Sequence, residues 1–392
     1  MDVETRLQLL KGISQEIVTE DELRQLLETN SKPVAYDGFE PSGLAHLPAG
    51  VYRPLLLKDL LKANVKFKLL LADSFAWINE KMNGDLDKIH VVGDYFIEVW
   101  KAAGLDTKKV EVIHHMDFFE DKEYWKLVLL VAKNHTEART KRALQVAGRS
   151  EGDVKQTAQL FYPSMQAADV LYLNVDICQL GMDQRKANML AREVAEKIKR
   201  KKPVAVHHRM LFGLDGMSSA SASDEVLKMP VSFPTGKDGH LHAKGERGRV
   251  IDGNFVNEYD LEINAKMSKS KPNTCIFVHD STEEIKKKIS SAFCPAKVVT
   301  GNPILEYNKE IVFRALKDVT IERPVKFGGD VTFASYSEME NAFVEGRLHP
   351  MDLKNSTAAN LDELIAPIRS HFEKDKTANK LYEQVKSFSV TR

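Results

Sequence analysis

Apolar residues along the chain follow two kinds of spacing, and the change between them comes at Pro33. Residues 1–30 carry apolar positions at helical period, with a start signal in the middle: Thr19 and Glu22 make a capping box, and Val18 with Leu23 can form the hydrophobic staple beside it. Beyond Pro33 the pattern becomes short apolar runs, at Val34–Phe39, 67–72 and Val110–His114, separated by amphipathic stretches at 52–63 and 86–103. Runs of strand length alternating with helices of ten or more residues predict a parallel sheet wound with crossovers, an α/β fold. In such sheets ligands bind beyond the carboxyl ends of the strands, so chemistry is expected just after each run. Residues 122–148 read as helix, 175–180 and 203–208 as further strands, and 281–293 as a capped helix. From Cys294 to the end the pattern is mostly helical, as in a small second domain.

Three domain-level segments result: an N-terminal helical piece over 1–33, a sheet-bearing domain over 34–280, and a helical domain over 281–392. Within the middle one, residues of about 115–160 connect its two halves, and about 215–265 form an insertion rich in Gly, Ser and charge, expected to be mobile.

Composition narrows the function classes only a little. With 392 residues, 43% of them apolar, the chain can bury one large core or two smaller ones. Its net charge is zero, so no global field marks a nucleic-acid partner, although a local basic patch would suffice for one. Cys178, Cys275 and Cys294 are odd in number and widely spaced, which argues against a zinc ribbon and against a disulfide framework, and no metal-ligand set is expected. The longest apolar run, 127–132, is too short to span a bilayer, and the N-terminus has no signal core, so a cytoplasmic protein without a membrane is expected.

Four stretches carry candidate chemistry. Lys266-Met267-Ser268-Lys269-Ser270 is a five-residue run that arises by accident in roughly a few chains of this length in ten thousand. Two lysines around small hydroxyl residues can close on a triphosphate and neutralise its oxygens. Gly38-Phe39-Glu40-Pro41-Ser42-Gly43-Leu44-Ala45-His46 leaves the first strand of the alternating region and runs into a helix, a turn that places backbone amides and an imidazole where phosphate is welcome. Tyr162, Gln166 and Asp169 fall four and three residues apart, on one helix face, polar where a core would be apolar. Gly181-Met182-Asp183-Gln184-Arg185-Lys186 follows the run 175–180, again at a strand's carboxyl end. Asp73, just after the run 67–72, either reaches a ligand or caps the helix that follows.

These stretches together resemble the class I aminoacyl-tRNA synthetases, in particular the tyrosyl enzymes of archaeal and eukaryotic type, from about Val34 to Phe372 with the insertion between. The resemblance implies a Rossmann-like nucleotide-binding sheet followed by a mostly helical anticodon-binding domain. It implies that Tyr36 and Asp169 hold the phenol hydroxyl of the substrate, that Tyr162, Gln166 and Gln184 hold its amino group, and that Asp73 is a further tyrosine contact. His46, Lys266, Ser268 and Lys269 would act in catalysis, and Gly38, His46, Met267 and Lys269 would bind ATP. Two positions depart from the family pattern: the first signature reads His46-Leu47-Pro48-Ala49, with proline where a small residue is usual, and Phe75 stands where a histidine would.

Near the C-terminus, Arg323-Pro324-Val325-Lys326-Phe327-Gly328-Gly329-Asp330 and Leu348-His349-Pro350-Met351-Asp352 resemble the anticodon-reading segments of the same enzymes. By that resemblance Phe327 and His349 stack on anticodon bases and Asp352 accepts hydrogen bonds from a guanine; taken alone, Phe327 reads equally as core and Asp352 as a helix cap. The implied partners are tRNA(Tyr), L-tyrosine, ATP with its Mg2+, and a second copy of the chain in a homodimer. Two other readings remain open at this level: a non-catalytic tRNA-binding relative, suggested by Pro48 and Phe75, and a tryptophan-activating enzyme of the same fold.

Overall fold

The computed structural model describes residues 1–144, 156–219, 248–251, 254–257 and 265–388. Six strands make the central sheet: β1 (Glu16–Val18), β2 (Val34–Phe39), β3 (Lys66–Leu71), β4 (Val110–His114), β5 (Ile177–Cys178) and β6 (Val204–His207), in the spatial order β1-β6-β5-β2-β3-β4. All neighbouring pairs are parallel except β1 on β6. From β2 the chain winds outward through β3 to β4, then returns to lay β5 and β6 on the other side. The carboxyl ends of β2 and β5 therefore splay apart, which is where such a sheet leaves room for a ligand.

Period-two alternation divides the sheet's side chains between two cores. Ala35, Phe67, Leu69, Ile177 and Val206 face the helices Val3–Gly12, Glu20–Thr29, Arg53–Lys62 and Leu86–Ala102, in an apolar core that continues to Val385 near the C-terminus. Tyr36, Leu70 and Cys178 point the other way, toward the helices Lys122–Lys133, Tyr162–Tyr172 and Arg185–Lys197. One residue's difference in register thus puts a tyrosine, Tyr36, against the helix that carries Asp169.

The capping box of Thr19 and Glu22 forms in both directions, each at 3.2 Å. Residues 1–30 are not continuously helical, however: Glu16–Val18 is a strand. The open edge of β6 has backbone groups to satisfy, and β1 covers it, with His207 Nδ1 and Arg185 Nε both on Glu16 Oε2 at 2.9 and 2.8 Å. The expected helix over 122–148 breaks at Asn134–Thr136 and resumes as Glu137–Leu144; the rest of that stretch lies outside the described residues. Of the insertion, 215–219, the hairpin Gly248–Ile251 with Asn254–Asn257, and residue 265 are described.

Pro48 begins a π-helical turn, Pro48–Tyr52, ahead of the helix Arg53–Lys62. Its missing N–H costs nothing there. The widened turn seats Gly50 against Val278, where an added Cβ would lie 2.3 Å from Cγ1, so only glycine fits. The mostly helical end of the chain also holds a small antiparallel pair, Val319–Ile321 with Val331–Phe333. No helix of the described residues is long and apolar enough to cross a membrane.

Candidate functional site

A cavity of about 380 Å³ opens at the carboxyl ends of β2 and β5. Of the residues singled out in the sequence, Tyr36, Gly38, His46, Tyr162, Gln166, Asp169, Gln184, Lys266 and Met267 line it. They come from five separate stretches of chain.

At its floor Asp169, 1% exposed, is held by two donors on the same oxygen: Tyr124 OH at 2.9 Å and His115 Nε2 at 3.0 Å. An ionised carboxylate only accepts, so Nε2 carries the imidazole proton and Nδ1 accepts from the Ser74 hydroxyl at 2.6 Å. Burial, and then the Asp169 charge, push the Tyr36 phenol well above its ordinary pKa, so Tyr36 stays a hydroxyl able to donate. A neutral donor and a fixed acceptor therefore share one end of the cavity, which suits a hydroxyl-bearing ligand. Gln166 Nε2 donates to Gln184 Oε1 across 3.1 Å, which leaves the Gln166 carbonyl, without a hydrogen-bond donor among the described residues, as an acceptor for a cationic group.

Phe75, in place of the family's histidine, stands edge-on to Tyr162 and to His115, with ring centroids 4.5 and 4.9 Å apart. The imidazole beside it, His115, follows the end of β4. Sequence reasoning missed His115 and Tyr124; the available signal was the pair His114-His115 at a strand's carboxyl end. It also missed Arg53 and Asp37, an ion pair at 2.7 Å on the cavity wall with both side chains almost fully buried. Burial drives the Asp37 carboxyl up to about 6, with Arg53 opposing it.

At the other end lie the cationic groups. Lys266 Nζ is 2.7 Å from Asp183 Oδ2, at the cavity edge. The bridge between Phe212 and Lys266 and the bond from Met267 N to Leu211 O (2.7 Å) hold the start of the lysine run against the domain. Lys269 does not line the cavity. It is docked on the turn after β2, donating to Ser42 O at 3.0 Å and lying 5.0 Å from the Phe96 ring centre, and burial lowers its pKa to about 8. Ser268 bonds Ser270, Oγ to Oγ at 2.8 Å. His46 is half-buried with its Nδ1 out of solvent, and desolvation depresses its pKa well below the ordinary value, with Lys269 and Lys266 adding to the effect. It is a neutral hydrogen-bonding group rather than a cation, and its Nδ1 has no partner among the described residues.

Asp73 is not on the cavity. Its Oδ1 takes the backbone N–H groups of Ser74 and Met116, each at 2.9 Å, so it fixes the start of the helix Met116–Phe119 rather than facing a ligand. Its Oδ2 meets His114 and His90, each at 3.2 Å.

In the C-terminal region Arg323 ties the two motif segments together, donating from Nη1 to Arg347 O at 3.1 Å and from Nε to Gly329 O at 2.8 Å. Phe327 closes the turn Val325–Phe327. His349, not Asp352, caps the helix Pro350–Lys374, accepting from Met351 N at 3.2 Å, and Asp352 lies in that helix's first turn.

The family model described as tRNA synthetases class I (W and Y) matches residues 28–229 and 260–366. Among curated proteins, the tyrosine–tRNA ligase of Saccharolobus islandicus is 42% identical over 393 aligned positions, covering all of both chains. That of Sulfurisphaera tokodaii is 42% identical over 396, covering 100% of this chain and 99% of the other. Among solved structures, tyrosyl-tRNA synthetase of Pyrococcus horikoshii complexed with L-tyrosine superposes with a TM-score of 0.81 at 37% identity, covering 98% of this chain and 100% of that one. The Aeropyrum pernix enzyme gives 0.79 at 37% identity, with 98% and 99% covered.

Proposed function

The chain belongs to the class I tRNA synthetases of the tryptophan and tyrosine group, and from that premise we propose that it is a tyrosine–tRNA ligase of archaeal and eukaryotic type. In the first step a tyrosine carboxylate oxygen attacks the α-phosphorus of ATP; the bond to the bridging oxygen breaks, giving tyrosyl-adenylate and pyrophosphate. In the second a terminal ribose hydroxyl of tRNA(Tyr) attacks the tyrosyl carbonyl, and AMP leaves.

One observation carries the reading: the cavity floor pairs the buried, neutral Tyr36 with an Asp169 already held by His115 and Tyr124. The substrate phenol donates to Asp169 and accepts from Tyr36. Phenylalanine leaves both unpaired, which supports a preference of roughly ten-thousandfold or more, a magnitude established on this enzyme class. Tryptophan has no phenol for the pair to hold. The substrate ammonium goes to Tyr162, Gln166 and Gln184. ATP lies across Gly38 and Met267 toward His46, with Lys266 and Lys269 offsetting charge that grows on the phosphates as the bond breaks, and Ser268 in the same loop. His46 contributes a hydrogen bond rather than charge. The measurement that tests this is pyrophosphate exchange into ATP with tyrosine, tryptophan and phenylalanine in turn: tyrosine-dependent exchange is expected, and exchange driven by tryptophan, or by no amino acid, overturns it.

Mg2+ enters with ATP, on phosphate oxygens and water. The carboxylates of the cavity are engaged elsewhere, Asp37 by Arg53, Asp183 by Lys266 and Glu40 by Asn79 at 2.7 Å, which favours an ion carried by the nucleotide over a protein cage. Residues 281–392 act as the anticodon-reading domain, with Phe327, His349 and Asp352 at the base contacts; the Arg323 tether between the two motif segments supports this. A homodimer completes the proposal. Leu129 and Leu130 on the helix Lys122–Lys133, with Leu160 and Phe161, are exposed apolar side chains in the connecting region that a second copy would cover.

A further inference from the structure

Away from the cavity, three side chains converge that the reaction does not use. Asp73 follows β3, His114 ends β4, and His90 lies early in the helix Leu86–Ala102. Sheet register brings the first two together, since Leu71 of β3 sits opposite His114. Asp73 Oδ1 is occupied by the two backbone N–H groups, which fixes the carboxylate and leaves Oδ2, buried, to the two imidazoles. That oxygen lies 3.2 Å from His114 Nδ1 and 3.2 Å from His90 Nε2. The imidazole planes stand at 84°, and all three ligand atoms lie within 4.8 Å of one another.

We propose that Asp73, His90 and His114 form a site for a divalent transition ion of the Zn2+ class. Three observations support it. With ligands about 2.0–2.1 Å from the ion, neighbouring ligand atoms of a tetrahedron lie about 3.3 Å apart, and both measured oxygen–nitrogen separations match that edge. His90 Nε2 is buried with no hydrogen-bond partner among the described residues although it lies 3.2 Å from the Asp73 carboxylate oxygen that His114 Nδ1 also bonds; an ion there gives that nitrogen a partner. Two imidazoles and one carboxylate suit Zn2+, Co2+ or Ni2+ rather than Ca2+ or Mg2+, which take all-oxygen sites.

The site has the other parts such an ion needs. The backbone amides on Oδ1 are an outer shell that orients the ligand. Asp94 and Asp117 add negative charge around His114. The side chains of His90 and His114 are 42% and 31% exposed, so the cluster lies next to the surface. Once bound, it clips the end of β4 and the start of the helix Asp73–Ile78 to the helix Leu86–Ala102.

The test uses full-length protein without a histidine tag, stripped with a chelator and dialysed against micromolar Zn2+. About one equivalent is expected by elemental analysis, and Co2+ in its place should give the intense visible bands of a four- or five-coordinate ion. His90→Gln, at a partly exposed position where the fold tolerates change, should cut affinity by more than the roughly tenfold to hundredfold that removing an outer-shell partner costs, with the far-ultraviolet circular dichroism unchanged. His114→Gln should do the same. Should the wild-type chain take up no stoichiometric ion, or the variants take up as much as it does, the three residues are an ion-paired cluster and the proposal is overturned.

Discussion

His115 Nε2 lies 3.0 Å from Asp169 Oδ1, joining residues 54 apart in the chain at the floor of the cavity, with both side chains essentially out of solvent. This imidazole is a positioning group: it fixes the oxygen of Asp169 that the Tyr124 hydroxyl also holds, so that the carboxylate presents its other lone pairs to the ligand. Replacing it by alanine removes a charge-assisted hydrogen bond, which is worth roughly 1.5–3 kcal/mol. His115→Ala is expected to weaken tyrosine binding by about tenfold or more and to narrow the gap between tyrosine and phenylalanine. Equilibrium dialysis with both amino acids checks it; a variant that loses stability but keeps its tyrosine affinity would reduce His115 to a packing residue.

Tyr36→Phe deletes the donor to the substrate phenol and nothing else. The loss of one neutral hydrogen bond, about 0.5–1.5 kcal/mol, should raise KM for tyrosine by a few-fold to about tenfold. Asp169→Asn should cost far more, because its amide can turn a donor toward the substrate hydroxyl or leave His115 and Tyr124 facing the wrong group. Steady-state exchange kinetics on the two variants should therefore rank Asp169→Asn well below Tyr36→Phe, and the reverse order would mean that Asp169 does not face the phenol.

Lys269 is half-buried, and desolvation lowers its pKa to about 8. A lysine lowered in this way is cationic below that value and neutral above it, so in the free enzyme the group that meets the phosphates is lost as pH rises through about 8. The pH profile of kcat/KM for ATP, which reports groups of the free enzyme, should fall on its alkaline side near there. Lys269→Arg, whose guanidinium stays charged, should move the fall upward or abolish it, and Lys269→Ala should slow adenylate formation far more than it weakens tyrosine binding. An unshifted alkaline limb in the arginine variant would assign the titration to another group.

Glu306 accepts at 2.7 Å from the N–H of Phe212, the residue that bridges to Lys266, and burial raises its carboxyl to about 8 against an ordinary 4.5. A carboxyl raised in the folded state contributes stability that is whole below the ordinary value and is lost as pH climbs through about 8. Glu306→Gln keeps an acceptor for Phe212 and cannot ionise. It should be the more stable protein above pH 8, by up to a few kcal/mol, with little difference below pH 4.5. Chemical denaturation at the two ends of that range measures it.

What could be read from the chain alone was what local forces decide. Alternating short apolar runs and amphipathic helices set the parallel sheet, Thr19 with Glu22 set a helix start, and the spacing of Tyr162, Gln166 and Asp169 put three polar groups on one face. Each is fixed by a period of 3.6 or 2 or by a cap three residues away, so each is visible within a short window. The tertiary structure decided the contacts whose partners are remote. It turned Asp73 from the cavity toward Met116, laid Glu16–Val18 along the edge of β6, brought the imidazole of His115 onto Asp169, and docked Lys269 on Ser42 across 227 residues. Those pairings follow from strand order and from which buried polar groups still lack a partner, and neither is written in the spacing of residues along the chain.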